Sequence, residues 1–141
     1  MHISTDELML DTEGHNQIID ITGVLNKKLE QSGFTEGQLT VFVPGSTGGI
    51  TTIEYEPGLL KDFPEFLDSI IPQNRTYQHD VTWQDGNGYA HLRASLIKPS
   101  LAIPFQDRRL LLGIWQQVIF IDFDNRPRSR QLIVQFMGIK E

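Results

Sequence analysis

Residues 101–138 read LAIPFQDRRLLLGIWQQVIFIDFDNRPRSRQLIVQFMG. Leu101–Pro104 is a short apolar run, and Asp107-Arg108-Arg109 after it is a turn. Leu110–Ile114 and Gln117–Phe123 are strand-like, interrupted at Trp115-Gln116. Asp124-Asn125-Arg126-Pro127 gathers residues that favour turns. Arg130–Gly138 alternates well enough to be a closing strand. A succession of strands and tight turns implies a largely antiparallel sheet.

Upstream, Ile50–Tyr55 (ITTIEY) is rich in β-branched residues and reads as another strand. Leu39–Val43 (LTVFV) is almost continuously apolar, which predicts a strand buried on both faces. Ile3–Leu10 and His15–Asp20 are strands joined by the turn Asp11-Thr12-Glu13-Gly14, and so predict a hairpin. A helix follows to about Ser32. Ile21, Val24, Leu25, Lys28 and Leu29 form its stripe, Asp20 or Thr22 its N-cap, and Gly33 its C-terminal cap. A second helical region, Leu59–Ile71, contains Pro64, which has no N–H and predicts two pieces or a kink. Tyr89–Ile97 is a third, short helix, with Leu92, Ser95 and Leu96 on the face near His91. The expected fold is α+β: one compact domain over residues 1–141, a largely antiparallel sheet packed with two to three helices.

A chain of 141 residues is the size of one domain and buries enough surface to fold without a staple. It has no cysteine, which excludes a disulfide framework, cysteine-ligated zinc and a thiol nucleophile, and suits a reducing cytosol. The net charge of −6 argues against nucleic acid as a partner. No run approaches the roughly 20 apolar residues of a membrane span. The start MHISTDE lacks the basic and apolar segments of a signal peptide. The expectation is a soluble, cytoplasmic protein with no membrane partner.

Chemistry concentrates in Tyr77–His91, YQHDVTWQDGNGYAH, which follows neither strand nor helix periodicity until Gly88. His79 and His91 can exchange a proton near neutral pH or ligate a metal. Asp80 and Asp85 can orient an imidazole or help hold a cation. If Gly86 and Gly88 fold the loop back, the two rings meet; two surface histidines around a turn is the plain alternative. Gly45-Ser46-Thr47-Gly48-Gly49 exposes backbone N–H groups and two hydroxyls able to cradle a phosphate or carboxylate, although a glycine-rich turn has the same composition. Glu54 sits in a strand and points to a pocket or to solvent. Trp115-Gln116 marks a strand break. Arg128 and Arg130 share a strand face, where they bind an anion, pair with carboxylates across a subunit contact or are simply solvated.

Ser46-Thr47 with Thr51-Thr52 and Glu54, then Tyr77-x-His79-Asp80, Asp85-Gly86-Asn87 with Ala90-His91, Leu112-Gly113-x-Trp115-Gln116, Arg128-x-Arg130 and Gly138 resemble, in order and spacing, the YjbQ family. Some members of that family are described as secondary thiamine-phosphate synthases. The resemblance covers nearly the whole chain and implies an α+β homotrimer with a histidine- and acid-lined pocket near subunit contacts. His79, Asp80, His91, Thr47 and Glu54 match its motif positions. With the residue readings above, the expected catalytic set is His79, Asp80 and His91. The expected substrate-binding set is Ser46, Thr47, Glu54, Asp85, Asn87 and Gln116, and His79 and His91 are the ligands for a divalent metal, zinc or magnesium. Two positions depart from the family pattern: Gly45 stands where many members have histidine, and Ile114 where threonine is common.

Three functions fit. An enzyme would join a pyrimidine pyrophosphate to a thiazole phosphate with loss of pyrophosphate, which requires the leaving group's charge to be neutralised. The histidine loop supplies no cationic side chain, so Arg93, or Arg128 of a neighbouring subunit, has to do so. A non-catalytic trimer would bind a metal ion or a small phosphorylated or carboxylated metabolite with the same residues. A purely structural trimer would bury the histidines in a polar interface.

Overall fold

The computed structural model describes residues 1–141. The chain runs β1 (His2–Thr12), β2 (Gln17–Asp20), α1 (Thr22–Ser32), β3 (Phe34–Phe42) and β4 (Gly48–Ile53). It continues through α2 (Pro57–Ile70), α3 (Gln78–Trp83) and α4 (Gly88–Ile97). It closes with β5 (Ser100–Gln106), β6 (Arg109–Leu110), β7 (Gln117–Asp122) and β8 (Arg128–Lys140). The strands form two antiparallel sheets, one of five strands ordered β1-β8-β3-β5-β6 and one of three ordered β2-β7-β4. This is the single α+β domain that the strand-and-turn pattern implies.

Alternation in the strands builds the core. Leu39, Val41, Ile103, Phe105, Leu132, Val134 and Phe136 line the inner face of the five-stranded sheet. They pack with Leu25 and Leu29 of α1 and with Ile50, Val118 and Phe120 of the smaller sheet. Ile121, on the other face of β7, and Phe123, just past its end, join Leu67 of α2 and Tyr89, Ala90 and Ala94 of α4 in a second cluster. Each such fully buried side chain contributes about 1.5–3 kcal/mol. Gly48 and Gly49 let these layers close up. A Cβ at Gly48 would stand 2.6 Å from the Phe120 ring, and one at Gly49 2.8 Å from Ile97 of α4.

Several local expectations change. β1 and β2 form no hairpin: β1 pairs with β8 and β2 with β7, so the turn between them carries the chain from one sheet to the other. LTVFV is buried on one face only, with Leu39 and Val41 inaccessible and Phe42 39% exposed. The strand buried on both faces is β7, with Val118 and Phe120 in one apolar cluster and Ile121 in the other. Pro64 falls inside one helix, Pro57–Ile70, where it removes a single donor, the one that would reach Leu60. Glu56 caps that helix through its carboxylate. Residues 111–116 form an exposed loop rather than a strand. Gln78–Trp83 folds as a fourth helix that the irregular pattern concealed.

Lys98 caps α4 at φ 88°, ψ 151°, a backbone region reserved almost entirely for glycine and costing about 1–3 kcal/mol otherwise. The strained turn is held by its ties: the Lys98 carbonyl accepts from Ile50 N at 3.0 Å and the Pro99 carbonyl from Val43 N at 2.9 Å. Lys98→Gly releases the strain, less about 0.5–1 kcal/mol for glycine's greater freedom when unfolded. A net gain of about 1 kcal/mol is expected, seen as a higher urea midpoint at unchanged slope; a lower midpoint would refute it.

Candidate functional site

The site rests on a buried polar cluster where β7 hands the chain to β8. Asp122 and Asp124 are fully buried. Arg130 donates to both carboxylate oxygens of Asp122, from Nε and Nη2 at 2.8 Å each, and from Nη2 to Thr47 Oγ1 at 2.8 Å. Thr47 Oγ1 donates to Asp124 Oδ2 at 3.0 Å, and Thr12 Oγ1 to Asp122 Oδ2 at 2.6 Å. Arg128 Nε meets Asp124 Oδ2 at 3.0 Å. Burial raises the Asp124 pKa, but hydrogen bonds from Asn125 N, Asn87, Thr47 and Arg128 outweigh it and hold the carboxyl below its ordinary range. The hydroxyl of Thr47 is therefore committed to this framework.

Above the cluster, α3 and the start of α4 bring the histidines together, with ring centroids 4.2 Å apart. Asp80 fixes that juxtaposition. Its carboxylate accepts from Tyr77 N at 3.0 Å and Gly88 N at 2.8 Å, and so ties the start of α3 to the start of α4. These two backbone bonds keep its pKa low. His79 Nδ1 lies 3.5 Å from Asp85 Oδ1 and 3.8 Å from Asp80 Oδ1, yet this buried nitrogen has no hydrogen-bond partner. Asn87, 4% exposed, donates from Nδ2 to Asp124 Oδ1 at 3.2 Å, which leaves its Oδ1 buried and unpartnered. An ionised Asp124 fixes that amide orientation, because the reverse would set oxygen against oxygen.

Burial pushes His91 below its ordinary 6.5; the neighbouring His79 adds to this, and Asp85, Asp124 and Asp80 oppose it. His91 is neutral at pH 7 and keeps a lone pair to offer. The unfolded chain takes up this proton near 6.5, whereas the folded chain resists until lower pH. The stability contribution is thus complete above 6.5 and lost as pH falls below it. Metal-stripped wild-type protein is expected to lose stability as pH falls below about 6.5, and His91→Asn to lose a fraction of a proton less. Thermal unfolding across that range checks this, and an unchanged slope in the variant would count against it.

The groups enclose an open cavity of about 470 Å³ lined by Ser46, Thr47, His79, Asp85, Asn87 and His91, with Arg128, Arg130, Trp83 and Gly45 completing its wall. By formal charge, two arginines face Asp80, Asp85, Asp122 and Asp124, so the neighbourhood, counted without the imidazoles, is two charges negative. Such a site favours a cation. His79, Asp80 and Asp85 each place a potential ligand atom within 4.8 Å of the others. Asp80 is already engaged by backbone, so His79 and the freer Asp85 are the better donors, with His91 beside them.

Six of the expected residues line this cavity: Ser46, Thr47, His79, Asp85, Asn87 and His91. Asp80 stands behind it as a strut. Glu54 and Gln116 lie elsewhere. Glu54 is exposed beyond the far end of β4, roughly 20 Å of extended chain from Thr47. Gln116 donates to Thr52 Oγ1 at 3.1 Å and accepts from Gly113 N at 2.9 Å, pinning the exposed loop. Arg93 does not reach the cavity, being held by Ile71, Asn16 and Asp68. The arginine needed from a neighbour is this chain's own Arg128, beside Arg130. Asp122 and Asp124 were missed as site residues. The available signal was IDFD, two acids in a buried apolar run, followed by two arginines at 128 and 130.

Comparison with known proteins extends over the same residues. A family model described as UPF0047 protein YjbQ-like matches residues 6–139. A UPF0047 protein of Archaeoglobus fulgidus is 37% identical over 129 residues, covering 92% of this chain and 98% of its own. The UPF0047 protein YugU of Bacillus subtilis is 32% identical over 133 residues, covering 93% and 97%. A hypothetical protein of Aeropyrum pernix has the same fold, with a TM-score of 0.89 at 32% identity over 96% of this chain and 99% of its own. A YjbQ/UPF0047 family protein of Clostridium acetobutylicum gives 0.86 at 36% identity, over 94% and 99%.

Proposed function

Because this chain belongs to the YjbQ-like UPF0047 family, we propose that its cavity binds a divalent cation together with a phosphorylated metabolite. The reaction we propose is of the secondary thiamine-phosphate synthase kind: a pyrimidine pyrophosphate joins a thiazole phosphate and pyrophosphate leaves. The observation that carries this reading is the pair of buried, unpartnered polar atoms, His79 Nδ1 and Asn87 Oδ1, on a cavity lined by Asp85 and by the guanidinium groups of Arg128 and Arg130. Unsatisfied buried polar atoms are costly, and a cation or a ligand donor would satisfy them. His79 and Asp85, with neutral His91, would hold zinc or magnesium. When bound, the cation supplies charge neutralisation for the leaving pyrophosphate. Arg128 and Arg130 face the same space from the opposite wall and would orient phosphate oxygens.

Titration calorimetry of metal-stripped protein with zinc and with magnesium, then with pyrophosphate, tests the reading. Binding is expected in the wild type. In His79→Ala it should weaken by more than the roughly 10–100-fold that losing an outer-shell partner costs. Absence of cation binding, or wild-type affinity retained in both His79→Ala and His91→Ala, would overturn it. A non-catalytic binding protein is the second reading, favoured by one feature: Asp80, the carboxylate beside His79, is occupied by two backbone N–H groups and is not poised as a base. Turnover of the two thiamine precursors separates the two.

The homotrimer is also a proposal. The outer face of the five-stranded sheet carries Ile3 at 64%, Met9 at 61%, Ile139 at 53%, Met137 at 42% and Phe42 at 39% exposure, a surface suited to burial between copies. Sedimentation of the wild type at three times the monomer mass would support it. No helix is long and apolar enough to cross a membrane.

A further inference from the structure

Resting on that anion-binding reading, we infer that the ligand is a two-part molecule, a phosphate ester whose uncharged remainder occupies a second lobe of the site behind His91. The main cavity adjoins another of about 230 Å³, and the two share Gly45, Ser46 and His91 in their linings. Their linings differ in kind. In the larger lobe the intramolecular bonds of Arg130 use Nε and Nη2, and those of Arg128 use Nε and Nη2, so the Nη1 of each remains to donate to a ligand. The smaller lobe has no ionised side chain: beyond the shared residues it is lined by Gly48, Ala94, Ser95 and Pro99. Ser95 Oγ is spent on the His91 carbonyl at 2.8 Å. A lobe of that volume accommodates about one six-membered ring, since a buried apolar cavity of roughly 150 Å³ takes up benzene.

Gly45 stands where the two lobes adjoin. It belongs to both lobes, and a Cβ there would stand 3.4 Å from Arg130 Nη1. A longer side chain at position 45 would therefore grow toward the phosphate-facing nitrogen and narrow the junction. With glycine, only backbone stands at this position between the two lobes, which leaves room for a ligand larger than the phosphate itself to reach both.

Calorimetry with inorganic phosphate and with benzyl phosphate, in magnesium, tests this on the wild type and on Ser95→Leu. Ser95 lines only the smaller lobe and is exposed, so leucine fills that lobe without touching the arginines. Benzyl phosphate is expected to bind about 10-fold tighter than inorganic phosphate to the wild type, the surplus left after the cost of ordering the ring. Ser95→Leu should abolish that advantage and leave inorganic phosphate affinity unchanged; thermal unfolding verifies that the variant is folded. Equal wild-type affinities for the two compounds, or an advantage that survives Ser95→Leu, would overturn the inference while leaving the anion site intact. Failure of both compounds to bind would overturn the anion site and the inference together.

Discussion

Arg130→Ala is expected to lower the free energy of unfolding by about 3–5 kcal/mol, the cost of leaving one member of a buried ion pair without its partner. The guanidinium is the only cation bonded to Asp122, which is wholly buried, and it closes both carboxylate oxygens at 2.8 Å. It also anchors Thr47, and through Thr47 the turn that forms one wall of the cavity. Water cannot replace it without opening the junction of the two sheets. Against a total stability of about 5–15 kcal/mol for such a domain, the loss is large enough to read directly from urea unfolding. Arg130→Lys should recover only part of it, because an ammonium cannot span both oxygens. Adding Asp122→Ala to Arg130→Ala should restore stability relative to the single variant, since the unpaired charge is then gone. A loss below about 1 kcal/mol in Arg130→Ala would mean that Asp122 is not an uncompensated buried charge in the variant.

Arg93→Met is expected to cost about 3 kcal/mol or more and to leave cation and phosphate binding unchanged. Arg93 is 1% exposed and enters no cavity. Its Nε and Nη2 both donate to the Ile71 carbonyl, at 3.1 and 2.8 Å, and Nη1 donates to Asn16 Oδ1 at 3.0 Å. The guanidinium carbon lies 5.0 Å from the Tyr89 ring centroid. One side chain thus joins α4 to the end of α2 and to the turn before β2. Methionine keeps much of the packing but leaves these part-buried acceptors without donors, at about 1–3 kcal/mol for each such group where water does not reach it. Urea unfolding and calorimetry on the same preparation check the two halves. A variant of wild-type stability with weakened phosphate binding would assign Arg93 to the site after all.

The histidine loop was the most legible part of the site, because histidine, aspartate and glycine in a stretch without periodicity have little to do in a core. Ser46, Thr47, Asn87 and Arg128 were legible as chemistry but not as neighbours. Glu54 and Gln116 misled for the same reason that the motif was persuasive. Glu54 follows the glycine turn in sequence and Gln116 belongs to a separate motif, yet both stand at the far end of β4, which extends between them and the cavity. Asp80 reads identically as a base and as a strut, and only its two backbone donors tell the roles apart.

The sequence by itself determined the class of the fold. Strand alternation, turn residues and the stripe of α1 are local consequences of side-chain volume and backbone freedom, and they survive any arrangement of the elements. Tertiary structure decided which strands pair, that β7 rather than LTVFV is buried on both faces, and that Arg130 and Arg128 neutralise Asp122 and Asp124 beneath the histidines. Those outcomes depend on which apolar faces are satisfied together and on bonds between residues more than 100 positions apart. No local spacing encodes such a meeting; it exists only once two sheets and two helices have closed on a common core.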